Sequence, residues 1–170
     1  MENPLVFDEN KIRELPEFER LAYCENIMKY EKDESVRWDA VWLAGEIAAM
    51  AVLSNDKKHL FDRVADLMVW VLENDDNGVV KHEACYQIAA RNMQKNISAL
   101  VKAALHDKSV LTRHEALESL GLMRATEITD VIKDALTDLS IDVRETAHFV
   151  IKRLERMKKS RGEYNPSSIL

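Results

Sequence analysis

Residues 80–91, VKHEACYQIAAR, decide the fold because they recur. Three further stretches align with them without a gap: VRWDAVWLAGEI from Val36, TRHEALESLGLM from Thr112 and VRETAHFVIKRL from Val143. All four carry a basic residue second (Arg37, Lys81, Arg113, Arg144) and alanine fifth (Ala40, Ala84, Ala116, Ala147), with the second positions 44, 32 and 31 residues apart. Self-similarity at such a period marks stacked units, none of which can bury its apolar face alone.

Each unit reads as two helices. The prolines fall at 4, 16 and 166, leaving 149 consecutive residues without one. Stretches such as LFDRVADLMVWVL, ISALVKAAL and ITDVIKDAL repeat apolar residues at three- and four-residue spacing, and polar breaks (ENDDNG, HDKS, TDLSID) separate them. Polar residues able to cap a helix (Asp33, Asp75 or Asn77, Asp107, Ser140) precede the four aligned stretches. No stretch alternates with period two for long enough to make a strand. The expected fold class is all-α: a right-handed α-solenoid of about four helical hairpins near 10–53, 56–92, 95–124 and 126–158. Residues 1–158 would then form one repeat domain, and the patternless tail 159–170 would be disordered.

Composition narrows the function. A net charge of −6, with acids and bases mixed along the chain, supplies no basic stripe for phosphates, so no nucleic-acid partner is expected. The longest apolar run, WLAGEIAAMAVL (42–53), contains Glu46 and falls short of the roughly 20 residues a span requires, so no membrane partner is expected either. Cys24 and Cys85 lie inside helical patterns and form no CxxC, which points to a reducing, cytoplasmic setting.

Helical geometry then indicates what each unit displays. At about 100° per residue, positions one, five, eight and twelve of each aligned stretch gather on the core side, and position three lies opposite. Position three holds Trp38, His82, His114 and Glu145, flanked by position four (Asp39, Glu83, Glu115, Thr146) and position seven (Trp42, Tyr86, Glu118, Phe149). These residues would line the concave side of the solenoid. Histidines, carboxylates and large aromatics are not what a merely solvated face carries, so a binding surface is expected. Imidazole with carboxylate and open positions suits iron, manganese or zinc. Duplication of one ancestral His-Glu pair, hydrogen-bonded between repeats, accounts for the same residues without a metal; the aromatics would then contact a protein or a second subunit.

A polar cap followed by valine, a basic residue and alanine at the start of a second helix resembles the HEAT repeat, especially the short variety of phycobilin-lyase-like proteins. The flanks of the two His-Glu pairs resemble deoxyhypusine hydroxylase more specifically. Lys81, His82, Glu83 and Tyr86 match that family's K-H-E-x-x-Y. Arg113, His114, Glu115, Ala116, Glu118, Leu120 and Gly121 match its R-H-E-A-x-E-A-L-G, with Leu117 and Ser119 as substitutions.

The resemblance implies a HEAT-repeat monooxygenase that binds two irons and activates dioxygen to hydroxylate a modified lysine on translation initiation factor five-A. Carried over residue by residue, His82, His114 and Glu115 would ligate iron, and Glu83 would be the catalytic carboxylate nearer the substrate. The family enzyme has two four-hairpin halves facing each other, and this sequence contains one. A symmetric homodimer, holding two irons between its concave faces, would supply the missing His-Glu pairs. Glu83, Glu118 and Asp39 near the mouth would suit a cationic substrate. The alternative is a non-catalytic HEAT scaffold that binds a protein partner on Trp38, Asp39, Trp42, Tyr86, Glu118, Glu145 and Phe149.

Overall fold

Short polar side chains open the helices, and aspartates two residues earlier lock the turns. Asp33 Oδ1 accepts from Ser35 N (2.9 Å), Asn77 Oδ1 from Val79 N (2.8 Å) and Ser109 Oγ from Thr112 N (3.3 Å). Asp75, Asp107 and Asp138 in turn accept from Asn77 N, Ser109 N and Ser140 N, each at 2.8 Å. So Asn77 is the cap of its helix and Asp75 stabilises the turn before it, and Ser109, not the expected Asp107, caps the next.

The computed structural model describes residues 7–163, and every regular element among them is helical. The α-helices are α1 (Glu9–Glu14), α2 (Glu17–Tyr30), α3 (Glu34–Ala51), α4 (Lys58–Asn74), α5 (Gly78–Ala90), α6 (Ile97–His106), α7 (Val110–Leu122) and α8 (Ile141–Glu163). The helix expected within ITDVIKDAL winds as a seven-residue 3₁₀ helix, Val131–Thr137. Thr129 Oγ1 and Thr137 Oγ1 donate to the carbonyls three residues back (2.6 and 2.9 Å), and these local bonds favour the tighter i→i+3 turn. Helix α8 continues through Glu163, so residues 159–163 of the expected tail are helical; residues 164–170 lie outside those described.

The chain divides into two compact units, Met1–Arg91 and Asn92–Leu170. In the first, α3 packs against α2, α4 and α5. In the second, α7 packs against α6 and α8, and the long 3₁₀ helix packs against both α6 and α8.

The same two devices tie successive hairpins within each unit. The basic residue at position two gathers the turn ahead of its own helix and the aspartate of the following turn. Arg37 donates to Asp75 through Nε and Nη2 (2.8 and 3.1 Å) and to the carbonyls of Glu31 and Lys32. Arg113 donates to Asp138 (2.7 and 2.9 Å) and to the carbonyls of Asp107 and Lys108. Two donors of a planar fork on two oxygens make these the strong form of ion pair.

The second device is glycine at position ten. A Cβ on Gly45 would lie 2.0 Å from Gln87 Oε1, and one on Gly121 would lie 3.2 Å from Val150. The bare backbone lets the next second helix approach, and an arginine of that helix bonds the exposed carbonyl: Arg91 Nε to Gly45 O (3.1 Å), Arg153 Nε to Gly121 O (3.3 Å).

Position eight is buried in all four helices, as the helical reading requires, yet it holds Gln87 and Ser119 beside Leu43 and Val150. Among the described residues, no helix is long and apolar enough to cross a membrane.

Candidate functional site

Helix α7 presents His114 on a half-buried face, and the next hairpin orients it. His114 Nδ1 lies 2.7 Å from Thr146 Oγ1, and that hydroxyl is also 2.8 Å from the carbonyl of Asp142. A carbonyl can only accept, so the single hydroxyl proton belongs to Asp142 O and Thr146 accepts from the ring. Both contacts are satisfied when Nδ1 carries a proton. Nε2 then faces outward, 3.8 Å from Glu118 Oε1, one helical turn further along α7. That distance exceeds a hydrogen bond, and Glu118 is half-exposed. An imidazole fixed through its far nitrogen by a hydroxyl, with its near nitrogen beside a carboxylate, is the arrangement that tunes and aims a metal ligand.

Glu115, beside His114, is only 6% exposed. On α8 of the same unit, Glu145 and Phe149 are exposed, Phe149 at 67%. Position four was expected to flank the open strip; on α7 it turns inward, because the helix approaches its neighbours closely enough to cover it.

The first unit carries the companion residues. His82 is half-buried on α5, and Tyr86, one turn later, is exposed. Glu83 turns inward, 4% exposed, and accepts from Gln87 Nε2 at 2.8 Å. Burial pushes the Glu83 carboxyl above its ordinary range, with the Gln87 bond and the Arg91 charge acting against that rise. Gln87 Oε1 faces the Gly45 backbone and, among the described residues, has no hydrogen-bond donor.

Three rings form a row in this unit. Trp38 and Trp42 have centroids 5.9 Å apart with planes 15° from parallel, and Trp42 and Tyr86 are 6.4 Å apart at 3°. Trp42 is braced by donation to Glu46 Oε1 (3.1 Å), and Arg13 grips the same carboxylate through Nε on Oε2 and Nη2 on Oε1, both at 3.0 Å. Asp39, half-buried beside Trp38, has its carboxyl raised by burial and by the charge of Glu9.

Thus the structure joins Trp38, Trp42 and Tyr86 into one row, joins His114 to Glu118, and buries Glu83 and Glu115. Among the described residues, no group of three or more His, Cys, Asp or Glu side chains stands together as a metal cage. The donor chemistry at His114 fits iron; the number of donors assembled there is that of a partial site.

Gln87, Arg13 and Glu46, and the orienting role of Thr146, were missed by sequence reading. A polar residue at core position eight could have flagged Gln87. Thr146 stands at position four, the place of Glu115 one segment earlier, and only the packing of α8 on α7 reveals its role.

Repeated hairpins joined by arginine-aspartate forks define the class, and the chain belongs to the HEAT-repeat family, whose model matches residues 65–152. Within that class the chain is similar to deoxyhypusine hydroxylases. It is 31% identical to the human protein over 100 residues, covering 56% of this chain and 33% of that protein. It is 32% identical to the Bos taurus protein over 92 residues (53% and 30%) and 30% identical to the Danio rerio protein over 126 residues (65% and 41%). The structure of human deoxyhypusine hydroxylase in complex with glycerol shares the fold, with a TM-score of 0.65 at 21% identity over 88% of this chain and 48% of that one. The chain therefore spans well under half the length of these curated relatives.

Proposed function

We propose that this protein binds iron and acts as a dioxygen-activating hydroxylase-like protein whose metal centre is completed by a second copy of the chain. The observation that carries this reading is His114: a hydroxyl holds Nδ1, and Nε2 is presented beside Glu118 within the motif that resembles the hydroxylase. Because the described residues assemble only a partial donor set, the remaining ligands would come from outside them, and a twofold dimer is an economical source.

In this reading His82 in the first unit, and His114 with Glu115 in the second, would each serve as ligands for iron, which when bound would supply dioxygen activation. Glu83 is the proton-holding group. Its Oε1 accepts from Gln87 Nε2, and burial makes the carboxyl release its proton at higher pH than a free carboxylate does. Thr146 keeps the Nε2 lone pair of His114 free.

A protein-binding scaffold is the second reading, favoured by the row Trp38–Trp42–Tyr86 and by exposed Phe149. Metal analysis and sizing of protein made in iron-supplemented cells separate the two. The hydroxylase reading expects a dimer with stoichiometric iron that is lost in His82→Ala and His114→Ala. A monomer at micromolar concentration, with the same trace of metal in all three proteins, overturns it.

A further inference from the structure

The N-terminal ends of α3 and α5 leave a groove of about 320 Å³ in the first unit, lined by Glu34, Ser35, Trp38, Asp39, Asn77 and Val79. Its acid has no bonded cation, although the Arg13 charge acts on it from a distance. Among the described residues Asp39 makes no hydrogen bond or ion pair, and its neighbours are committed elsewhere. Ser35 Oγ donates to Asp33 (2.6 Å), Asn77 Oδ1 caps α5, and Arg13 is held by Glu9 (2.8 Å) and Glu46. Beside this carboxylate stands Trp38, half-buried, with the parallel row Trp42 and Tyr86 behind it. A half-buried carboxylate next to an indole is a costly arrangement for an isolated chain and a favourable one for a cation that can use both.

We propose that this groove receives an arginine side chain of a protein partner, with the guanidinium stacked on Trp38 and its N–H donors on Asp39. Charge complementarity selects the occupant. Glu34 and Asp39 line the groove without a basic residue among its lining side chains. Arginine fits better than lysine because its plane stacks on an indole, its fork spans both carboxylate oxygens, and it sheds water more readily than an ammonium. The groove volume suits one side chain and not a folded surface. This inference stands apart from the proposed metal centre: none of its residues is a ligand in that reading.

The test is titration of the full chain with the peptide acetyl-Gly-Arg-Gly-amide, followed through the indole N–H resonances, with citrulline and lysine peptides as isosteres. Trp70 on α4, whose ring already carries Lys29 at 5.6 Å, is the internal reference. The Trp38 and Trp42 resonances should shift saturably while Trp70 stays in place. Asp39→Asn should weaken binding about tenfold or more, with unchanged backbone resonances elsewhere. His114→Ala should bind as the wild type does, so failure of the metal reading and failure of this one are distinguishable. Absence of a saturable shift, equal binding of the citrulline or lysine peptide, or an unaffected Asp39→Asn would each overturn the proposal.

Discussion

Replacing Thr146 with valine tests whether the His114 ring is set by its neighbour. The substitution nearly conserves shape and removes one oxygen, the one that accepts from Nδ1 at 2.7 Å. A net intramolecular hydrogen bond contributes about 0.5–1.5 kcal/mol, and the ring, about a third exposed, can regain part of that from water. The expected loss of preference for Nδ1–H is therefore about 2- to 10-fold. Two measurements read it. Long-range nitrogen–proton NMR of the imidazole should show a protonated Nδ1 and bare Nε2 in the wild type, and a mixture in Thr146→Val. Metal affinity should fall about 10- to 100-fold, the usual effect of losing the partner that orients a ligand. A wild-type ring already protonated on Nε2, or an unchanged tautomer in the variant, would refute the hydrogen-bond assignment.

Two further predictions concern stability. Asp75→Ala strips two bonds from Arg37, only 8% exposed, and one from Asn77 N, so unfolding free energy should drop by about 3 kcal/mol in urea titrations. Arg37→Met combined with Asp75→Ala should cost little beyond either change alone, and simple additivity would contradict the buried fork. Glu83→Gln keeps an acceptor for Gln87 while removing a buried charge. Because burial raises the folded-state pKa, the native protein holds the Glu83 proton more tightly than the unfolded chain, and stability falls as pH rises from the unfolded value, about 4.3, through the folded one. The variant should gain stability at neutral pH and nothing near pH 3; a gain independent of pH would contradict the burial argument.

The repeat was legible because four segments share one ungapped pattern, although they stand 44, 32 and 31 residues apart. Arg37, Arg113 and the alanines at position five are fixed by local geometry, and the face holding Trp38, His82 and His114 follows from 100° steps. Glu83 and Glu115 were not placed correctly by that arithmetic, since a helix wheel marks direction and does not know how near the neighbouring helix comes. Gly45 and Gly121 set that nearness, and they read in the sequence as ordinary helix residues. The 3₁₀ winding of Val131–Thr137 escaped for a related reason: apolar spacing in so short a segment fits either helix.

The imidazole of His114 is anchored on one hairpin and aimed by another. Anyone who transplants the His-Glu segment alone into a new scaffold will move the imidazole and leave its compass behind. The smallest portable piece that keeps the ring's orientation runs from α6 to at least the second turn of α8, and changes to how α8 leans on α7 offer a way to adjust imidazole basicity without touching the histidine.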